Sequence, residues 1–336
     1  MCEGKDRPVP SGAPSLTYTM QGREFRVLRE AGNQSLHRFA VFTAACTFLL
    51  LIAGALVTSN DAGLAVPDWP LSYGTLFPPM VGGIKWEHGH RLIATTVGIL
   101  TIILAVMAWR RESRRWVRNL AWAALGLVIA QGILGGITVK FYLPPWVSSA
   151  HATLAELFFV TVISLAVFTS KWWLSELPIL EDSHSTQLQK LAVWTSVLIL
   201  FQIVLGAAFR HNAFSIIPHF IGAVIVTAMV LWTVLAVSRR FKSVADLRRA
   251  ARYLEICLGL QLLLGGAAYW AVVQARDAVQ PTPLYVTITV AHVAVGALTF
   301  AASVLLSLYC FRIFKPGIAA KLEASASAHH AMKAAR

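Results

Sequence analysis

Charge is scarce in this sequence. Only 13% of its 336 residues are Asp, Glu, Lys or Arg, and acidic residues number 16 against 29 basic ones. A soluble domain of this length carries about a quarter charged residues, so a water-facing surface is excluded for most of the chain. Cysteine is scarcer still: Cys2, Cys46, Cys257 and Cys310 lie far apart. No spacing suits a zinc site or a disulfide framework, and the three cysteines beyond the tail read as core fillers. A cleavable signal peptide is missing too, because the first 37 residues are polar, contain Pro8, Pro10 and Pro14, and hold no short apolar core. They are expected to form a mobile cytoplasmic tail.

What the chain has in excess is hydrocarbon. Hydrophobic residues make up 57%, with a mean hydropathy of +0.63. Eight runs are long and apolar enough to cross about 30 Å of hydrocarbon as helices: 38–58, 88–109, 119–139, 148–170, 191–209, 217–238, 253–273 and 285–311. Unpaired backbone groups are not tolerated in lipid, so such a chain forms a helical bundle. The net charge of +13 could suggest nucleic acid, but its placement argues for topology. Successive loops alternate between many and few basic residues, 24 falling on one side and 4 on the other. The positive-inside rule then puts both termini in the cytoplasm, with the 110–118 and 239–252 loops.

The two halves repeat each other. Gln131-Gly132-Ile133-Leu134-Gly135 matches Gln261-Leu262-Leu263-Leu264-Gly265, and Ala150-His151-Ala152 matches Ala291-His292-Val293. Gln202 and Gly206 carry the same spacing, Ala53-Gly54-Ala55 aligns with Leu205-Gly206-Ala207, and His90 corresponds to His219. The unit is four helices used twice, in one orientation, about an axis along the membrane normal. The expected fold class is therefore an all-α membrane protein, with eight transmembrane helices arranged as two parallel-repeat four-helix bundles. Its divisions are a tail over 1–37, an amino-terminal bundle over 38–170, a cytoplasmic linker over 171–190, a carboxy-terminal bundle over 191–311 and a second tail over 312–336. Gly54, Gly135, Gly206 and Gly265 allow close helix approach or leave room for a flat cofactor, and packing explains them equally well.

His90, His151, His219 and His292 all fall near the starts of the even-numbered spans, on the outer side. One such histidine is commonly an interfacial hydrogen-bonding residue; four in repeat-equivalent places point to metal ligation. Two imidazoles from facing helices can clamp a heme within a four-helix bundle, so the pairing read here is His90 with His151 and His219 with His292. Zinc would want a third or fourth ligand, which the sequence does not place nearby. Glu87-His88-Gly89-His90-Arg91 adds an acid and a cation at the first site. Glu87 also suits a plain helix start; Arg91 does not, and is expected to meet a heme propionate. His88 should point away from His90 as a wet interfacial side chain. The second half has Ile217-Pro218-His219-Phe220, without the Glu or the Arg. This asymmetry suggests reaction chemistry in the first half and electron storage or transfer in the second. Glu156, inside an apolar helix, is either functional or bonded to a neighbouring helix. Arg210 and His211 either bind propionates or anchor the interface.

Taken together, Ala65-Val66-Pro67-Asp68-Trp69-Pro70-Leu71-Ser72, Glu87-His88-Gly89-His90-Arg91, Ser149-Ala150-His151-Ala152, Pro218-His219 and Ala291-His292 resemble the heme A synthases over roughly residues 38–312. The resemblance implies a multi-pass enzyme of the bacterial cytoplasmic membrane that oxidises the C8 methyl of heme O to the formyl of heme A for cytochrome oxidase. It implies a heme b held by His219 and His292, a substrate heme site marked by His90 and His151, and a functionally important Glu87. Many bacterial members carry a cysteine at each end of the Pro-Asp-Trp-Pro-Leu segment. Here those places hold Val66 and Ser72, which excludes a redox-active loop disulfide. Asp61, Asp68 and Trp69 are expected to shape the loop over the substrate site, although a Pro- and Gly-rich loop of this length could fold on itself. The implied partners are heme O, the bilayer, heme O synthase, an electron carrier and a second copy of the chain, with no nucleic acid. The alternative function is a diheme b-type electron-transfer protein, for which hemes staggered toward opposite faces would be expected.

Overall fold

A computed structural model describes residues 16–175 and 184–314. Nine helices are found there: α1 (Leu16–Ser59), α2 (Ile84–Arg111), α3 (Arg115–Lys140), α4 (Pro145–Phe168), a short α5 (Lys171–Leu174), α6 (Ser185–Arg210), α7 (Ile217–Arg240), α8 (Ala245–Gln274) and α9 (Pro283–Ile313). All but α5 contain a stretch long and apolar enough to cross a membrane, so the chain is an all-helical, multi-pass membrane protein. Seven of the eight expected spans fall within one of them, and the fourth, 148–170, runs two residues past the end of α4. The connections do less than expected to stay irregular. Helix α1 begins at Leu16 rather than near residue 38, so residues 16–37 of the expected tail are helical. No proline follows Pro14 there, and Arg, Glu and Leu, which favour helix, are frequent. Residues 1–15, 176–183 and 315–336, covering part of the expected tails and linker, lie outside the described residues. The rest of the linker holds α5 and the start of α6.

Prolines start the helices that matter most. Pro145, Pro218 and Pro283 occupy the first turns of α4, α7 and α9, where a missing N–H costs nothing and the fixed φ suits a helix. The Thr282 hydroxyl accepts from the Tyr285 N–H to cap α9.

Packing repeats between the halves. Neighbours in sequence pack together from α1 to α4 and again from α6 to α9, and each set closes on itself through α1 with α4 and α6 with α9. Between the halves α1 meets α9, α4 meets α6, and α4 meets α9. Exchanging α1 with α6 and α4 with α9 maps this pattern onto itself, which is what a two-fold axis running between α4 and α9 requires. One apolar core lies in each half. Val97, Leu104, Val117, Phe158 and Leu165 anchor the first; Ile199, Val230, Leu254, Phe300 and Leu306 anchor the second. Both lie toward the ends of α2, α4, α7 and α9 remote from the histidines. Near the histidines the packing is looser, since residues 151–155 and 291–296 are all only half-buried.

Candidate functional site

Each of the four histidines sits against a glycine of the helix before it. A Cβ added at Gly54 would lie 3.2 Å from Cε1 of His90, at Gly135 3.3 Å from that of His151, at Gly206 2.9 Å from that of His219, and at Gly265 3.2 Å from that of His292. These are the glycines that the internal alignment pairs, so the repeat extends from sequence to contact. Between the two roles left open, the structure gives them a third: they seat imidazoles. Nδ1 of His90, His151 and His292 is buried without a hydrogen-bond partner.

The second half returns the favour. Gln202 lies across Gly222 of α7, where a Cβ would meet its Oε1 at 2.1 Å, and its Nε2 donates to the His219 carbonyl at 2.8 Å and lies 3.0 Å from Nδ1. Gln261 crosses Gly296 in the same way, with Nε2 3.4 Å from Nε2 of His292. Ring centroids of His219 and His292 stand 6.3 Å apart, with planes at 86°. One metal ion with bonds of about 2 Å to a nitrogen of each ring fits that spacing. Among the described residues no three His, Cys, Asp or Glu gather as a metal cage. A two-imidazole donor set in loosely packed helices suits an iron whose remaining ligands come from a flat macrocycle, and does not suit zinc.

The first half differs by what lies over it. Residues 60–83, between α1 and α2, fold back onto the start of α2. Glu87 is 3% exposed; its Oε2 accepts from the Val66 N–H at 2.8 Å, and its Oε1 from Arg91 Nη2 at 2.5 Å. Arg91 donates through Nη1 to the carbonyls of Asp68 and Leu71, both at 2.7 Å, and through Nη2 to that of Val66 at 3.2 Å. Both terminal nitrogens of Arg91 are thus engaged by the loop and by Glu87. His88 departs from expectation: it is 6% exposed, not wet, and its Nδ1 is 2.8 Å from Ser72 Oγ. The loop that covers it was not visible from helix spacing alone. Val66 and Ser72, standing where a cysteine pair was looked for, are both buried. A tight turn closes the segment. Tyr73 and Gly74 adopt φ of 53° and 69°, and their N–H groups donate to Asp68 Oδ1 and Oδ2 at 2.7 and 2.8 Å. Those two amides hold the Asp68 carboxyl below its ordinary pKa.

Arg210 ties the halves together. Its Nη2 donates to the Ala55 carbonyl at 3.0 Å and to Ser59 Oγ at 2.6 Å, and Ser59 lies 2.8 Å from Thr289 Oγ1 on α9. Beside it, His211 is held near a pKa of about 4 by burial, and then by the charges of Arg210 and His151. Glu156 is 5% exposed and its Oε2 has no hydrogen-bond partner, so the expected bond to a neighbouring helix is not seen at that oxygen.

Comparison with known proteins points the same way. Residues 81–217, from the end of the loop to the first residue of α7, match the COX15-CtaA family of cytochrome oxidase assembly proteins. A heme A synthase of Halalkalibacterium halodurans is 36% identical over 138 residues, 40% of this chain and 44% of that protein. One of Symbiobacterium thermophilum is 27% identical over 268 residues, 69% of this chain and 85% of that protein. One of Methylobacterium is 28% identical over 181 residues, 50% of this chain and 44% of that protein. Against several heme A synthases, that of Halalkalibacterium halodurans among them, the chain spans only 44% to 61% of the relative's own length.

Proposed function

We propose, from the match of residues 81–217 to the COX15-CtaA family and the geometry of the histidine pairs, that this chain is a heme A synthase: it oxidises the C8 methyl of heme O to a formyl group by successive hydroxylations. The observation that carries this reading is the asymmetry between two histidine pairs seated alike. Only the first has a buried acid and a long loop around it.

In this reading His219 and His292 hold a resident heme b, and His90 and His151 receive the substrate heme O. Bound heme supplies the redox chemistry that activates the methyl C–H bond. The chain's own residues do the rest. The glycine seats fix the direction of each imidazole. The loop keeps water from the outer end of the first site. Glu87 Oε1 and Oε2 lie where a proton can be held or released during a four-electron oxidation, or where positive charge can be steadied. Arg91 fixes that carboxylate and the loop together, and its Nε remains for an anionic group. Arg210 offers the N–H groups it does not spend on α1 to a heme carboxylate. Both termini are assigned to the cytoplasm and the histidines to the outer side, where propionates meet water and the farnesyl tail meets lipid. Heme O arrives from heme O synthase, and electrons pass to or from a separate carrier.

The test is Glu87→Ala, with Glu87→Gln beside it, in cells that supply heme O. The expected outcome is loss of heme A, accumulation of heme O or a hydroxylated heme in acid-acetone extracts, and an intact heme b spectrum. The diheme electron-carrier reading expects no heme A even from the unaltered protein.

A further inference from the structure

Both halves seat two imidazoles, yet only one is covered. The α6–α7 connection runs from His211 to Ile216, whereas the α1–α2 connection runs from Asn60 to Gly83. That longer segment is fastened on two sides. On α2 it is held by Glu87, His88 and Arg91, through Val66, Asp68, Leu71 and Ser72. On α3 it is held by Trp69, whose indole lies flat on Gly136: a Cβ there would come within 2.9, 3.0 and 3.1 Å of three indole carbons. Gly136 follows Gly135, the seat of His151. The loop thus clasps the turn that bears His90 and wedges a tryptophan beside the residue that positions His151. Any Cβ at 136 would push the wedge out.

We propose that Trp69 is a positioning residue that retains the substrate porphyrin between its successive oxidations, by closing the outer end of the His90/His151 site. The inference rests on the heme A synthase reading of that site. A substrate must enter and a product must leave, so this half needs a closure that opens; a resident cofactor needs none, and the other half has only six residues in the equivalent α6–α7 connection. The first hydroxylation adds a polar group to the C8 methyl, which makes the half-finished product more prone to leave for water. An indole is large, flat and stiff, and covers a macrocycle at little entropic cost. Arg91 holds the carbonyls of Asp68 and Leu71 on either side of it, whereas the Trp69 indole, 39% exposed, makes no hydrogen bond among the described residues, so the wedge can move while the base of the loop stays fixed.

The test uses the purified full-length chain in nanodiscs, loaded with heme O, and the variants Trp69→Ala, Trp69→Phe and Gly136→Ala. Loss of heme O to excess apomyoglobin gives a dissociation rate that needs no turnover. Extracts of cells supplying heme O give the ratio of hydroxylated to formyl heme. Trp69→Ala and Gly136→Ala are expected to speed dissociation about tenfold, an effect on off-rate with little change in loading, and to raise the ratio of intermediate to product. Trp69→Phe is expected to stay within about twofold of the unaltered protein, and the heme b spectrum to stay unchanged in all three. Unaltered dissociation in both Trp69→Ala and Gly136→Ala overturns the proposal. Loss of the heme b band in Trp69→Ala overturns it too, by making the indole a support of the whole fold. Failure of the unaltered protein to make heme A sinks the enzymatic reading instead, while the dissociation rates still judge Trp69.

Discussion

A methyl group at position 206 would sit 2.9 Å from Cε1 of His219, inside van der Waals contact, with a ring that cannot retreat without leaving its seat. Gly206→Ala is therefore expected to cost about 1–3 kcal/mol by overpacking, and to displace the imidazole from its partner. The measurement is heme b content by pyridine hemochrome, together with the melting temperature; full heme occupancy would contradict the seating role. Gly54→Ala, with 3.2 Å at His90, should leave heme b untouched. Asp68 makes a separate prediction about pH. Its carboxyl is held below its ordinary value of 3.8 by the amides of Gly74 and Tyr73. A depressed carboxyl stabilises the fold above its unfolded pKa and ceases to do so as pH falls through the folded one. Protease cleavage within 60–83 should thus rise only below about pH 4, and Asp68→Asn should raise it at neutral pH. The histidines and their glycines were legible in the sequence because repetition marks side chains at fixed spacing. The clasp was not, because Arg91 binds the carbonyls of Val66, Asp68 and Leu71, and a carbonyl has no letter of its own. His88 was misjudged for a related reason: spacing along α2 says which way it points, not what folds over it.

At the scale of elements, the eight spans were legible because lipid leaves a long apolar run one conformation. The loop and the early start of α1 were not, since tertiary contact and modest propensity decide them. The loop's dependence on α2 can be measured. Arg91→Lys keeps the charge but loses the planar fork that serves several acceptors at once. Loss of one or two charge-assisted hydrogen bonds costs about 1.5–3 kcal/mol each, so hydrogen exchange of loop amides such as those of Val66 and Tyr73 should quicken while α7 and α9 stay protected. Equal protection throughout would show that the clasp contributes little. A second clasp holds the opposite end of the bundle. Arg114 donates to Glu112 Oε1 and Oε2 at 2.9 and 2.8 Å, and to the Phe168 carbonyl at 2.8 Å, joining the α2–α3 turn to the end of α4. Burial pushes the Glu112 carboxyl up, but its bonds from Arg114 outweigh that and hold it below the ordinary range.

At the scale of the molecule, the basic-residue asymmetry predicts that reporter fusions after residues 115 and 245 face the cytoplasm and that fusions near residues 75 and 279 face outward. The reverse pattern would put His90, His151, His219 and His292 on the wrong side. Arg210 joins the halves through Ala55 and Ser59, so Arg210→Ala should lower the melting temperature of the whole chain, while Arg210→Lys restores part of it. The internal symmetry has a thermodynamic consequence. Helices α4 and α9 pack on each other at the two-fold axis, and each carries one histidine of a different pair. If an adjustment at their contact shifts both pairs, free-energy reciprocity makes the exchange run both ways by the same factor. Filling the first pair should alter the electron paramagnetic resonance of a heme held by the second, and reducing that heme should change the grip of the first pair on its guest. A chain made by doubling four helices would in this way have acquired a means for each copy to sense the other.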